Sequence, residues 1–166
     1  MRVCADDGRF SLNDVGCGYG ALLSFLAERH PGRTVDYTGI DLSAAMVDAA
    51  ERLWAGAPNL RFAQGSACPA PADYSVASGI FNVCQSIGRA EWERFVRATL
   101  HDMRQASRRA FSVNFMAPLA PGMPDVPELY RTAPQPWIDV CARELGGDVE
   151  LLEGYGLREF TLLVRL

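Results

Sequence analysis

The sequence predicts an α/β fold: an open, mostly parallel sheet of seven strands, helices on both faces, and a C-terminal antiparallel hairpin. Three observations predict it. Short apolar runs alternate with helical patterns up to Phe115. A glycine-rich turn, Asp14-Val15-Gly16-Cys17-Gly18-Tyr19-Gly20, joins the first strand to the first helix. The last two strands are separated only by Glu153-Gly154-Tyr155-Gly156-Leu157, which is too short for a crossover helix, so they must pair antiparallel.

Residues 1–10 read as a short polar lead-in. Leu12 and Val15 mark the first strand, where Asn13 is out of place, because a central parallel strand is usually apolar on both faces. Either Asn13 bonds to a neighbour or the strand is short. Tyr19 to Arg29 follows as a helix with Leu22, Leu23, Phe25 and Leu26 on its apolar face, stopped by His30-Pro31-Gly32. Val35 to Ile40 is the second strand and ends at Asp41. Ser43 caps a helix through Met46, Val47, Ala50 and Leu53.

The third strand spans Leu60 to Ala63 and is followed by Gly65-Ser66. The fourth spans Tyr74 to Ala77 and ends at Ser78-Gly79. A long helix covers Ala90 to Ser107, with Trp92, Phe95, Val96 and Leu100 on one face, and Ala110 to Phe115 is the fifth strand. The Pro-rich stretch from Pro118 to Pro136 has no period, and long irregular loops in compact domains are usually functional or disordered. A helix near Trp137 to Leu145 and strands at Val149–Leu152 and Arg158–Arg165 close the chain. The 166 residues are expected to form a single domain, 1–166, with little or no N-terminal substrate cap.

Composition narrows the function. The net charge of −4 argues against nucleic acid as the main partner, since phosphate binding needs a basic footprint. Arg104, Arg108 and Arg109 form a local basic cluster and read as the solvated end of the long helix. Five cysteines, none at metal or redox spacing, read as reduced thiols of a cytoplasmic protein. No apolar run is long enough to span a bilayer, so a membrane role is not expected. With only two histidines and no acid cluster, no metal site is expected.

Glycines let backbone approach a ligand without a Cβ in the way, and an acid ending the second strand can accept bonds from both ribose hydroxyls. Together they point to an adenosine-containing ligand. The nicotinamide fingerprint is G-x-G-x-x-G. Here the spacing is G-x-G-x-G, with an acid two residues before the first glycine.

On these residues the chain resembles the class I S-adenosylmethionine-dependent methyltransferases, a Rossmann-like fold, from Ser11 to Leu166. Asp14 to Gly20 is similar to that family's first motif, Asp41 to its second-strand acid, and the hairpin to its antiparallel seventh strand beside the fifth. The resemblance implies S-adenosylmethionine as cofactor, with S-adenosylhomocysteine as product. It also implies a cofactor site built on Asp14, Gly16, Cys17, Gly18, Gly20 and Asp41. Gly16 and Gly18 would meet the methionine part. Asp14 would meet its ammonium, or alternatively hold the glycine turn. Asp41 would take the ribose hydroxyls, the alternative being helix capping, for which Ser43 is already available.

Leu42 and Met46 would pack near adenine, and both serve equally well as core. The family often has an acid after the third strand; here Gly65-Ser66-Ala67 stands instead, leaving the Ser66 hydroxyl or the Ala67 backbone for adenine. Ser78 and Gly79 would lie beside the sulfonium. Phe81 would wall the substrate site and Asn82 orient a substrate group, or this is an ordinary turn with one buried aromatic. Asn114 is a second polar candidate at that sheet edge, and Tyr130, Asp125 and Glu128 are candidates from the Pro-rich loop.

Methyl transfer from a sulfonium needs alignment and exclusion of water, and needs a base only if the acceptor must lose a proton. No catalytic base is assigned: His30 sits at a helix end and His101 within a helix. The expected acceptor is a small molecule. A protein or RNA docked by a partner, and a non-catalytic cofactor-binding module, are the alternatives. A homodimer or a partner chain would then supply the lid, with the Pro-rich loop as the internal candidate.

Overall fold

The computed structural model describes residues 8–166. Seven strands form one sheet: β1 (Arg9–Val15), β2 (Thr34–Asp41), β3 (Leu60–Gln64), β4 (Ala72–Ala77), β5 (Ser107–Met116), β6 (Asp148–Leu152) and β7 (Glu159–Arg165). Their order is β3-β2-β1-β4-β5-β7-β6. The first five pair in parallel, and β7 runs antiparallel to both β5 and β6. The hairpin and the placement of its second strand beside β5 match the sequence expectation. No helix of the described residues is long and apolar enough to cross a membrane.

Helices α1 (Ala21–Arg29) and α2 (Ala44–Leu53) cover one face. There Leu12, Leu23, Leu26, Tyr37 and Tyr74 pack together. On the other face lie α3 (Arg89–Gln105), α4 (Gln135–Asp139) and a π-helical segment, Val140–Glu144. That core is aromatic: Phe115 stacks on Phe81, Trp137 and Phe160, each with centroids 5.4 Å apart. Each such pair adds about 0.5–1.5 kcal/mol beyond area burial.

Several boundaries move, for local reasons. Strand β1 already begins at Arg9, inside the expected lead-in; residues 1–7 lie outside the described residues. Helix α1 begins at Ala21 rather than Tyr19, because Gly20 takes a left-handed φ of 84° that helical residues cannot. The basic cluster is not one helix end. Only Arg104 lies in the last turn of α3, while Arg108 and Arg109 belong to β5. Arg104 donates to the Leu145 carbonyl, Arg108 pairs with Asp73, and Arg109 donates to the Tyr74 hydroxyl.

Asn13 is explained by the connection from β3 to β4. Only residues 65–71 span it, which is too short for a covering helix. The sheet face beneath that loop therefore carries polar groups that satisfy one another. Asn13 Nδ2 donates to the Ala70 carbonyl at 2.9 Å, and the Ser11 amide and hydroxyl both donate to Asp73.

The Pro-rich stretch crosses the carboxyl edge of the sheet. Its second half is pinned there. The amides of Cys84 and Gln85 donate to the Glu128 carbonyl, Tyr130 donates to the Asn82 carbonyl, and Thr132 to that of Met116.

Candidate active site

The loop between β1 and α1 turns on three glycines with positive φ: Gly16 (75°), Gly18 (56°) and Gly20 (84°). They serve different purposes. A Cβ on Gly16 would stand 2.0 Å from Ile80 Cγ2, and one on Gly20 would stand 2.6 Å from Trp54 Nε1, so both admit close packing. A Cβ on Gly18 would meet nothing within 4 Å among the described residues. Of the three, Gly18 is therefore the one whose Cα faces open space.

The loop is tied to the end of β2. The Gly16 and Cys17 amides both donate to the Ile40 carbonyl, at 2.7 and 3.0 Å. The Gly18 amide donates to Asp41 Oδ2 at 2.9 Å, and the Ser43 amide to Asp41 Oδ1 at 2.8 Å. Oδ2 thus spends one lone pair on the loop and Oδ1 one on the turn into α2, and each keeps a further lone pair. Asp41 braces the loop as well as ending the strand, while capping of α2 falls to Ser43, whose hydroxyl accepts from the Met46 amide.

Asp14 is buried under the loop and accepts a 2.6 Å bond from the Tyr37 hydroxyl. Burial pushes its carboxyl up to about 6; the Tyr37 bond opposes this, and the negative charge of Asp41 adds to it. The Cys17 thiol is pushed up to about 12 by burial, then by Asp14 and Asp41, so it stays neutral and is no nucleophile.

Two cavities open on either side of Gly16. One, of about 450 Å³, is lined by Asp41, Leu42, Gly65, Ser66 and Ile80, with Trp92 and Phe95 of α3 behind. The other, of about 960 Å³, begins at Asp14, Gly16, Cys17 and Ser78. It extends between α1 (Ala21, Leu22, Phe25) and the sheet face formed by Val76, Ser112, Leu152 and Thr161. Of the residues singled out from the sequence, Asp14, Cys17 and Ser78 line the larger space, Asp41, Leu42, Gly65 and Ser66 the smaller, and Gly16 both, while Gly18 and Gly20 line neither.

Of the remaining candidates, the Met46 side chain is exposed on α2, and neither Met46 nor Ala67 lines either cavity. Gly79 follows β4 with a φ of 80°, and its amide donates to Asn114 Oδ1 at 2.7 Å. Asn114 Nδ2 in turn donates to Glu159, which also accepts from Asn82 Nδ2. The two asparagines singled out from the sequence therefore share one carboxylate that sequence reasoning missed. Its signal was weak: an acid at the first position of a strand.

Two candidates are corrected. Phe81 is 0% exposed and stacks in the aromatic core, so it is the buried aromatic of an ordinary turn and does not wall the site. Tyr130 is also buried; its hydroxyl donates to Glu93 on α3 and its ring lies under the Arg89 guanidinium, 5.0 Å away. Both side chains point into packing that the residues near them in sequence do not reveal. Tyr37, Ser112, Tyr155 and Thr161 are the converse case: they adjoin the site and carried no motif.

Comparison with known proteins bears on the family and the fold. Residues 13–111 match the model of a family described as "Methyltransferase domain". A Mycobacterium tuberculosis (strain ATCC 25618 / H37Rv) protein, "Putative methyltransferase Rv1506c", is 44% identical over 165 residues, covering 99% of this chain and 98% of that one. Among solved structures, the Synechocystis magnesium protoporphyrin IX methyltransferase with bound S-adenosylhomocysteine superposes with a TM-score of 0.67 at 15% identity, over 94% of this chain and 73% of that one. An Aquifex aeolicus S-adenosylmethionine-dependent methyltransferase gives 0.69 at 16% identity, over 99% and 85%. Human N-acetylserotonin methyltransferase in complex with S-adenosylmethionine gives 0.68 at 16%, over 97% and 49%. These structural matches speak to the fold, and the sequence matches to the family: the chain belongs to the S-adenosylmethionine-dependent methyltransferases.

Proposed function

We propose that this methyltransferase holds its cofactor across the β1–α1 loop and passes the methyl group to a small molecule bound in the larger cavity. The observation that carries this reading is the pair of cavities meeting at Gly16, with Asp41 in one and Asp14 in the other. The residues fit the cofactor. Gly18 leaves its backbone open, Asp41 retains acceptor capacity for ribose hydroxyls, and Asp14 offers a buried carboxylate to the ammonium. Gly65 and Ser66 stand where adenine would end, with Leu42 and Ile80 as apolar walls.

When bound, the cofactor supplies a methyl group on a sulfonium, already activated for in-line displacement. The chain's own task is alignment. Ser78, Ser112 and Thr161 offer hydroxyls to orient an acceptor, and Leu22, Phe25, Val76 and Leu152 exclude water around it. A concave, largely apolar cleft suits a small acceptor better than a flat macromolecular surface. The first half of the Pro-rich stretch, largely exposed from Leu119 to Val126, is the internal candidate for a cover.

Calorimetric titration with S-adenosylmethionine, S-adenosylhomocysteine and NAD tests this. Micromolar binding of the first two and none of NAD is expected, and would justify screening apolar hydroxylated or amine acceptors. Failure of both to bind would remove the cofactor site from this chain.

A further inference from the structure

We infer that Tyr37 is a positioning residue for the cofactor's ammonium group: its buried hydroxyl holds one oxygen of the Asp14 carboxylate and leaves the other for the cavity. The inference rests on the reading of Asp14 as the ammonium partner.

The geometry comes from strand register. Strands β1 and β2 are parallel, with Leu12 opposite Tyr37 and Asp14 opposite Gly39. Alternation puts all four positions on the α1/α2 face. The Gly39 position on that face is filled by its neighbours: a Cβ there would stand 2.7 Å from Phe62 Cδ1 and 2.8 Å from Cys17 Sγ. From its position opposite Leu12, Tyr37 reaches diagonally to Asp14, two residues further along β1, and its hydroxyl donates to Asp14 Oδ2 at 2.6 Å. The ring is 1% exposed and held edge-on by Phe62, with centroids 5.8 Å apart. An ionised carboxylate can only accept, so the direction of the bond is fixed.

The surroundings otherwise oppose an ionised Asp14. Burial disfavours its charge, and so does Asp41. The neighbouring Cys17 is a neutral thiol. Asp14 shares the larger cavity with the apolar Ala21, Leu22 and Phe25 of α1 and with Glu153 and Tyr155 of the β6–β7 connection. Among these neighbours, Tyr37 is the one that favours the ionised form. A carboxyl that took a proton there would be a poor partner for an ammonium. Tyr37 therefore acts through Asp14: it keeps the charge in place and fixes which oxygen the cofactor meets.

The test is S-adenosylhomocysteine titration of the full chain between pH 5 and 7.5, where the ligand's own amine remains mostly protonated. With Asp14 near 6, the unaltered protein should bind about tenfold more weakly at pH 5 than at pH 7. In Tyr37→Phe the midpoint of that profile should rise by about one to two pH units, the worth of a hydrogen bond to a charged group, so that affinity is still climbing at pH 7.5 where that of the unaltered protein has levelled off. A merely structural role would lower affinity by the same factor at every pH. Asp14→Asn should bind weakly with a flat profile. A Tyr37→Phe midpoint equal to that of the unaltered protein, with Asp14→Asn weak and flat, would overturn the role of Tyr37 and leave that of Asp14 standing. Tight binding by Asp14→Asn would overturn both. If Tyr37→Phe fails to fold, 3-fluorotyrosine at position 37 replaces it. Its more acidic phenol should strengthen the bond and lower the midpoint, and an unmoved midpoint rejects the inference.

Discussion

The Gly18 amide and the Asp41 carboxylate, 23 residues apart in sequence, are joined by a 2.9 Å hydrogen bond that ties the open tip of the β1–α1 loop to the end of β2. The same carboxylate holds the Ser43 amide. Asp41→Ala should therefore weaken S-adenosylmethionine binding by roughly 1–3 kcal/mol, through lost ribose partners and a loosened loop. Calorimetry on the folded variant checks this, and unchanged affinity would take Asp41 out of the site.

Gly16 and Gly18 should separate stability from binding. Gly18→Val places a side chain in open space over the loop, at a backbone strain of about 1–2 kcal/mol, so the fold survives and cofactor affinity is lost. Gly16→Ala drives its Cβ to within 2.0 Å of Ile80 Cγ2, so overpacking of about 1–3 kcal/mol adds to the strain at positive φ. Thermal melts and titration of both variants should rank Gly16→Ala as the less stable. Normal binding by Gly18→Val would mean the loop is misassigned.

Asp14 links stability to pH. Its folded value of about 6 lies above the ordinary 3.8, so the folded protein binds this proton more tightly than the unfolded chain does. The resulting stabilisation is complete below pH 3.8 and is lost as pH rises through 6. At pH 7 the ionised group costs the fold up to about 3 kcal/mol relative to a neutral one. Asp14→Asn keeps an acceptor for Tyr37 and should melt at a higher temperature at pH 7, with the gain vanishing near pH 4. Melting curves at the two pH values decide it; a lower melting temperature at pH 7 contradicts it.

Glu159 serves two carboxamides. Glu159→Ala leaves Asn82 and Asn114 without it, at a cost of about 1–3 kcal/mol, and frees the turn at Gly79 that Asn114 holds. Glu159→Gln can satisfy one asparagine amine with its oxygen but sets its own amine against the other. Denaturant melts should place Glu159→Gln between the unaltered protein and Glu159→Ala, with S-adenosylhomocysteine affinity falling in the same order. Equal stability of all three would show the network to be incidental.

The sheet and the loop were legible in the amino-acid order because their signals are local. Alternation of strand and helix periods, the short link before the last strand and the spacing of Gly16, Gly18 and Gly20 are properties of short segments. So was the acid ending β2, since a strand end is visible where the apolar run stops. From these came the order of elements, the hairpin and the class of ligand.

The partners of individual side chains were decided by packing. Phe81 and Asn82 are adjacent in sequence, yet Phe81 enters the aromatic core and Asn82 turns to Glu159. Tyr37 meets Asp14 only because β1 and β2 are neighbours in a register that sets Tyr37 opposite Leu12, two residues before Asp14. Asn13 is satisfied only because a short loop, rather than a helix, crosses its face. Periodicity says which face of an element is apolar. Which residue from a distant element lies opposite, and whether a given polar group is left to a ligand or taken by the fold, depends on contacts that exist only once the whole sheet has assembled.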